Sequence, residues 1–139
     1  MHEELHKYIE EAKKIVIFTG AGISTESGIP DFRGPHGVWQ TNTPIYFQDF
    51  VSSEEVRRKS WKRKFSGQDI IRKAKPNIGH LAVAKIIGTH QSAYLITQNV
   101  DNLHQDAGVP EDKITEIHGN ASYASCLDCG TRYELPPIK

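Results

Sequence analysis

Residues 20–34 read GAGISTESGIPDFRG, and they follow directly on the apolar run IVIFT of residues 15–19. A continuous apolar run is typical of a parallel strand that is covered on both faces. The glycine-rich turn after it leaves backbone N–H groups free to face a phosphate, and the next helix N-terminus adds partial positive charge. Gly20 and Gly22 match the G-x-G-x-x-G dinucleotide fingerprint, but Thr25 stands where its third glycine belongs. The stretch therefore predicts a nucleotide-binding turn unlike that of ordinary Rossmann dehydrogenases.

Strand and helix patterns alternate along the rest of the chain. Apolar spacing predicts helices over residues 3–14, 52–65, 77–88 and 100–107, and strands over residues 15–19, 93–97 and 114–117. This alternation is typical of an α/β fold with a Rossmann-like, doubly wound parallel sheet. Ligands of such sheets bind at the carboxyl ends of the strands. We therefore expect the glycine turn, the segment after Thr97 and His118 to converge on one crevice.

The polar segments after the second and third strands have more than one interpretation. Residues 97–104 read TQNVDNLH, and here Asn99 or Asp101 could simply cap a helix by accepting from its free N–H groups. His118, in the sequence EIHG, could be an ordinary surface histidine, a zinc ligand or a general base. Imidazole suits the last role because it changes charge near neutral pH.

The two cysteines, Cys126 and Cys129, form a Cys-x-x-Cys pair. This spacing indicates metal or redox chemistry rather than a disulfide framework. A thioredoxin-like pair would open a helix, and the following Gly130 and Thr131 do not fit one. A structural zinc site needs four ligands, and no Cys or His follows Cys129. We interpret the pair as the first half of a zinc ribbon.

Together these motifs resemble the sirtuin (Sir2) family of NAD-dependent protein deacylases, from about Glu10 to Tyr133. The glycine stretch is similar to the family signature, EIHG to its catalytic histidine motif, and CLDCG at residues 126–130 to half of its zinc ribbon. Val100 is a mild departure, since isoleucine is commoner there. The resemblance implies that residues 1–119 form the N-terminal part of the NAD-binding domain, with a helical or loop insertion at about 35–75. Residues 120–139 would begin the zinc-ribbon module.

The resemblance also implies a cofactor, a metal and a set of site residues. The implied reaction converts acyl-lysine and NAD to lysine, nicotinamide and O-acyl-ADP-ribose. His118 would act as the catalytic base, supported by Asn99 and Asp101, and Cys126 and Cys129 would bind zinc. The implied NAD-binding residues are Gly20, Ala21, Gly22, Ser24, Thr25, Asp31, Phe32, Arg33, Trp39, Gln98, Asn99, Val100 and Asp101. His80 and His104 are predicted to be structural.

The chain is shorter than the sirtuin catalytic core. It lacks the second Cys-x-x-Cys pair, a later Gly-Thr-Ser segment and the last strands, so we interpret it as a truncated, N-terminal portion that could be inactive by itself. A complementary C-terminal half is then a possible partner. The alternatives are a non-catalytic NAD or ADP-ribose module and an NAD hydrolase. The Tyr-x-x-Arg pair of enzymes for acidic acyl-lysines is replaced by Trp61 and Lys64, which favours acetylated lysine as the substrate.

Charge and composition set limits on the partners. Lys plus Arg and Asp plus Glu number 17 each, so no net charge favours nucleic acid or a membrane surface. The basic run of residues 57–64 is interpreted as a solvated helix face. The N-terminus lacks the apolar segment of a signal peptide, and no apolar run is long enough to span a membrane. These features predict a cytoplasmic protein with no specific nucleic-acid binding.

Overall fold

A computed structural model describes residues 2–35 and 37–135, and its elements alternate between helices and strands as the sequence predicts. The helices are α1 (His2–Glu11), α2 (Phe47–Ser52), α3 (Glu54–Lys73), α4 (Ile78–Thr89) and α5 (Leu103–Asp106). The strands are β1 (Ile15–Thr19), β2 (Ala93–Thr97), β3 (Ile114–Glu116), β4 (Tyr123–Ser125) and β5 (Arg132–Glu134). Short 3₁₀ helices cover Ala21–Ser27, Val38–Gln40 and Glu111–Lys113.

The main sheet has three parallel strands in the order β1-β2-β3. Ile17 lies opposite Leu95, which lies opposite Ile114 on the other side. Leu95 is fully buried, and α4 covers it with Val83 and Ile87. The prediction of an α/β, Rossmann-like parallel sheet is confirmed. Strands β4 and β5 form a separate antiparallel hairpin.

Helix α3 begins where the sequence predicts but ends later. Ser53 caps it by accepting a hydrogen bond from the Val56 amide at 3.3 Å. The helix continues beyond the predicted end at residue 65 to Lys73, because Gly67 lowers helix stability by only about 1 kcal/mol and does not terminate it. It ends shortly before Pro76, since a residue that precedes proline disfavours helical geometry.

Helix α5 is shorter than the predicted helix over residues 100–107. Asn102 has a left-handed backbone with φ of 68°, which breaks the helical run before Leu103. The Asp101 carboxylate accepts from the Leu103 amide at 3.0 Å, so part of the capping interpretation is correct. Residues 98–102 therefore form a loop that places their polar side chains at the sheet edge. Two other ends differ slightly, with α1 ending at Glu11 and β3 at Glu116.

Strand β1 pairs with β2 on one side and is an edge strand within residues 2–35 and 37–135. Val16 and Phe18 project from one of its faces and are 67% and 60% exposed. Among the described residues, no helix is long and apolar enough to cross a membrane. The cytoplasmic location stays a prediction.

Candidate active site

The carboxyl ends of β1 and β2 bring the glycine turn and the 98–102 loop together. Thr19 lies opposite Thr97, and the Gln98 amide donates to the Thr19 carbonyl at 3.0 Å. The Asn99 side-chain amide then donates to the Gly20 carbonyl at 3.1 Å. A methyl group on Gly20 would lie 3.1 Å from the Gln98 Nε2 atom. The two segments are therefore closely packed where each leaves the sheet.

A cleft of about 350 Å³ opens at this edge of the sheet. Its volume falls in the range typical of small-molecule and cofactor sites. The lining residues are Ala21, Asp31, Phe32, Arg33, Trp39, Gln98, Asn99, Val100 and His118. The structure thus brings the glycine turn, the 98–102 loop and His118 to one cleft, as the sequence predicts for a parallel sheet.

One wall of the cleft is an aromatic and cationic loop. The Phe32 and Trp39 ring centroids are 5.5 Å apart, and the Arg33 guanidinium lies 5.0 Å from the Trp39 centroid. Two backbone bonds fasten the loop, from the Val38 amide to the Asp31 carbonyl at 2.8 Å and from the Trp39 amide to the Phe32 carbonyl at 3.0 Å. An Arg so placed offers a positive charge beside an aromatic surface.

The position of this loop depends on Gly37. A Cβ atom at residue 37 would lie 2.6 Å from the Phe32 carbonyl carbon and oxygen and 2.8 Å from the Arg33 nitrogen. We expect Gly37→Ala to displace the loop and weaken the binding of ADP-ribose, the part of NAD without nicotinamide, by about tenfold, which is about 1.4 kcal/mol. Isothermal titration calorimetry measures this affinity.

The matched control is Gly88→Ala in α4, where an added Cβ would meet nothing within 4 Å. It should bind ADP-ribose like the wild type and raise the free energy of unfolding by about 1 kcal/mol, because alanine favours helix over glycine. Equal affinities of the two variants would show that the close approach at Gly37 does not position the cleft wall.

A buried polar network lies beneath the cleft. The Ser24 hydroxyl donates to Asp101 Oδ2 at 2.6 Å and accepts from the Asn99 side-chain amide at 3.3 Å. Ser24 is 1% exposed and Asp101 is 7% exposed. Ser24 therefore does not line the cleft, because the 3₁₀ helix over Ala21–Ser27 turns its side chain inward. Asp101 is also absent from the lining, since both of its oxygens accept hydrogen bonds inside the protein.

His80 takes part in this network as a neutral donor. The Asn77 backbone amide donates to His80 Nδ1 at 3.3 Å, so Nδ1 is an acceptor and the ring proton lies on Nε2. His80 Nε2 lies 3.4 Å from the Ser24 oxygen and donates to it weakly. Burial lowers the pKa of His80, which keeps this arrangement neutral.

His104 is the second buried imidazole, and its ring lies 4.9 Å from that of His80. It is 2% exposed, and Nε2 lies 2.9 Å from the Thr19 hydroxyl. Burial, with a smaller effect of His80, lowers the pKa of His104 to about 4. Neither histidine is among the residues that line the cleft, in agreement with the structural role that the sequence analysis predicts.

The lowered pKa of His104 makes stability depend on pH. Between pH 6.5 and about 4 the unfolded chain protonates this residue and the folded chain does not, so acid favours unfolding. We expect the free energy of unfolding to fall by about 3 kcal/mol from this residue alone as the pH drops through that range. The lowered pKa of His80 also makes the folded chain less stable in acid.

Urea denaturation of the wild type and His104→Gln at pH 7.5 and 4.5 tests this expectation. The carboxylates are common to both proteins, so the change in their stability difference isolates His104. The acid-induced loss should be about 2.5 kcal/mol smaller in His104→Gln, because pH 4.5 covers most but not all of the range between the two pKa values. The same loss in both proteins would contradict a neutral buried imidazole.

His118 follows β3 in a turn closed by a hydrogen bond from the Gly119 amide to the Glu116 carbonyl at 3.3 Å. Gly119 has φ of 73°, a left-handed geometry that favours glycine. The His118 side chain is exposed at the edge of the cleft. It also borders a second, mainly apolar cavity of about 420 Å³ that shares Phe32 and Val100 with the cleft.

The remaining predicted site residues lie outside the cleft lining. Thr25 is exposed, and its hydroxyl donates to the Gly22 carbonyl at 2.9 Å. Cys126 and Cys129 are free thiols at the turn between β4 and β5. Hydrogen bonding with Thr131 lowers the pKa of the Cys129 thiol. Within residues 2–35 and 37–135, no cluster of three or more His, Cys, Asp or Glu side chains joins them in a metal-binding group.

Three further polar residues organise the site and are not among the predicted site residues: Thr19 and Thr97, which are buried, and Asn77, which is partly buried. Thr19 and Thr97 end their strands side by side, with their hydroxyl oxygens 2.9 Å apart. Asn77 connects α4 to the glycine turn through its side-chain amide, which donates to the Ile23 carbonyl at 2.7 Å. The sequence pattern that indicates Thr19 and Thr97 is a threonine at the end of each apolar strand, immediately before a predicted site loop.

Comparisons with known proteins agree with this architecture. A model described as "Sir2 family" matches residues 20–139. The NAD-dependent protein deacetylase 1 of Bradyrhizobium diazoefficiens is 49% identical over 137 residues, which cover 99% of this chain and 54% of that protein. The NAD-dependent protein deacetylase of Rhodopseudomonas palustris gives the same identity and coverage. The chain thus spans about half the length of these relatives.

Solved structures give the same result. A mutant Sir2 homologue in complex with ADP-ribose superposes with a TM-score of 0.83 at 36% identity, covering 99% of this chain and 56% of that one. A complex of Sir2 with a p53 peptide and NAD⁺ superposes with a TM-score of 0.76 at 36% identity, covering 96% of this chain and 52% of that one. The match over residues 20–139, together with the parallel sheet and its cleft, places this chain in the Sir2 family.

Proposed function

We propose that this chain is the NAD-binding and general-base part of a protein-lysine deacetylase. The reaction would convert acetyl-lysine, NAD and water to lysine, nicotinamide and O-acetyl-ADP-ribose. The observation that carries the proposal is the presence of Arg33, Asn99 and His118 on one cleft at the carboxyl edge of the sheet. The names of the relatives, NAD-dependent protein deacetylases, support the same activity.

The cleft residues have the chemistry that a dinucleotide requires. Arg33 offers a cation for the pyrophosphate, and Gln98 and Asn99 offer amides for the ribose hydroxyls. Phe32 would shield the reacting ribose carbon from water, and Asp31 would shape the nicotinamide pocket. Asp101 would act from beneath, by holding Ser24 and the start of α5 in place.

His118 is proposed to accept a proton from the ribose hydroxyls. Its place on the border of the cleft and the apolar cavity supports this role, because a base there can meet a cofactor on one side and an apolar substrate chain on the other. Phe32 borders the same two spaces. The acyl-lysine side chain of a protein substrate would enter through the apolar cavity.

Zinc is a further proposal, for which the chain supplies part of a site. Cys126 and Cys129 would provide two of the four ligands that a structural zinc needs. The metal would brace the module that begins at about residue 120, after an NAD-binding part over residues 1–119. A complementary polypeptide would supply the other two ligands.

The test is to incubate the purified chain with NAD and an acetyl-lysine peptide, and to follow nicotinamide and the deacetylated peptide by mass spectrometry. Release of both products that depends on the peptide establishes a deacetylase. Nicotinamide without deacetylation shows an NAD hydrolase instead. ADP-ribose binding without turnover shows a binding module, and adding the C-terminal half of a relative then tests whether the two polypeptides together are active.

A further inference from the structure

Three buried side chains form a hydrogen-bonded chain under the two loops of the cleft. His104 Nε2 lies 2.9 Å from the Thr19 hydroxyl oxygen, and the Thr19 hydroxyl donates to the Thr97 hydroxyl at 2.9 Å. The Thr97 oxygen also accepts from the Asn99 backbone amide at 3.0 Å. His104 and Thr97 are each 2% exposed, and Thr19 is 7% exposed. These hydrogen bonds join α5 to the ends of β1 and β2.

The direction of these bonds fixes the state of His104. Because the Thr19 proton points to Thr97, the Thr19 oxygen must accept, and His104 Nε2 must carry the ring proton. The other ring nitrogen, Nδ1, is buried and has no hydrogen-bond partner within the described part of the chain. Among the described residues, this ring therefore makes its hydrogen bond through Nε2 to Thr19.

An imidazole is energetically less favourable at this buried position than an apolar side chain. Burying a polar nitrogen without a partner costs free energy that a leucine of similar size would not cost. The bond to Thr19 lies one residue before Gly20, and the bond from Asn99 lies in the opposite loop, which also lines the cleft. The position of the glycine turn relative to the 98–102 loop therefore depends on His104.

We propose that His104 is a positioning residue of the cofactor cleft. By donating to Thr19 it orients the Thr19–Thr97 hydroxyl pair, and this pair sets the glycine turn against the start of the 98–102 loop. The inference rests on the proposed function in one respect, that the cleft binds NAD or ADP-ribose. His104 itself touches neither ligand, since it lies outside the cleft lining.

The first test compares His104→Leu, which loses the donor, with His104→Gln, which keeps an N–H group at a similar reach. Calorimetry with ADP-ribose should show binding at least tenfold weaker in His104→Leu and within threefold of wild type in His104→Gln. Urea denaturation of each variant separates lost affinity from lost folded protein. A His104→Leu variant that is less stable but binds ADP-ribose normally when folded would overturn the proposal.

The same bond can be tested from its other partner, which keeps the proposal testable if His104→Leu does not fold. Thr19→Val removes the hydroxyl, and Thr19→Ser retains it. The valine variant should bind ADP-ribose at least tenfold more weakly, and the serine variant within threefold of wild type. In a His104→Leu background that folds, Thr19→Val should weaken binding by less than a further twofold, because the bond is already lost. Independent, additive effects would count against the proposal.

Hydrogen exchange gives a readout that needs no ligand. The Asn99 amide should exchange at least tenfold faster in Thr19→Val than in Thr19→Ser, whereas the core amide of Leu95 should not change. Equal Asn99 rates would overturn the positioning role. If the wild type fails to bind ADP-ribose, the proposed function fails, and the exchange experiment still decides whether the hydroxyl pair positions the loop.

Discussion

Replacing His118 by alanine is expected to lower the proposed peptide deacetylation by about 10²–10⁴-fold, the usual contribution of a general base. ADP-ribose affinity should stay within about threefold of wild type, because His118 is exposed at the cleft edge and most of the lining is unchanged. Steady-state release of nicotinamide and deacetylated peptide measures the first effect, and calorimetry measures the second.

The control is His6→Ala on α1. His6 is an exposed partner of Glu10, and such surface pairs contribute little to stability. This variant should keep full activity and affinity. If His118→Ala deacetylates the peptide at the wild-type rate, another residue supplies the base. If it loses ADP-ribose affinity in the same proportion as activity, His118 acts in binding and not in proton transfer.

Asp101→Asn is expected to lower the free energy of unfolding by about 1–3 kcal/mol. The carboxylate accepts from the Ser24 hydroxyl at 2.6 Å and from the Leu103 amide at 3.0 Å, and Asp101 is buried. An asparagine offers one acceptor oxygen and adds two donors. The Ser24 oxygen already accepts from Asn99 and His80, so a buried donor is left without an acceptor.

Urea denaturation at pH 7.5 tests this expectation, with Asp106→Asn as the matched control. Asp106 is exposed and accepts from the Asn102 side chain at 2.8 Å, so its replacement should change stability by less than about 0.5 kcal/mol. ADP-ribose binding should weaken only in Asp101→Asn. Ser24 then loses the carboxylate to which it donates, and Asn99, which donates to Ser24, is held less firmly at the cleft. Equal stabilities of the two variants would show that the buried carboxylate can be replaced without loss.

Local patterns in the sequence are sufficient to predict the sheet. The runs at Ile15–Thr19 and Ala93–Thr97 are mainly apolar up to their final threonines, and such runs predict the parallel strands β1 and β2. The expectation that both faces of β1 are covered is wrong for the described residues, because Val16 and Phe18 are exposed on one face. The convergence of the glycine turn with His118 then follows from sheet topology. These features need no knowledge of how distant side chains pack.

Features that depend on contacts between distant residues are not predictable in this way. Ser24 lies in the glycine-rich turn, where the resemblance implies a cofactor contact. The orientation of its side chain, however, depends on the 3₁₀ helix and on Asp101, which lies far along the chain. The shortened α5 depends on the left-handed geometry of Asn102. The Thr19–Thr97 pair appears only when β1 and β2 are placed in register. The sequence thus locates the site but does not show which side chains lie under it.

The edge strand β1 has a consequence for any measurement of stability. A second polypeptide that pairs with the open edge of β1 would bind the folded chain and not the unfolded one. By mass action, each tenfold excess over the dissociation constant of such a complex adds about 1.4 kcal/mol to the apparent stability. In the presence of such a partner, the apparent free energy of unfolding depends on the partner's concentration, and the value for the chain alone is obtained by extrapolation to infinite dilution.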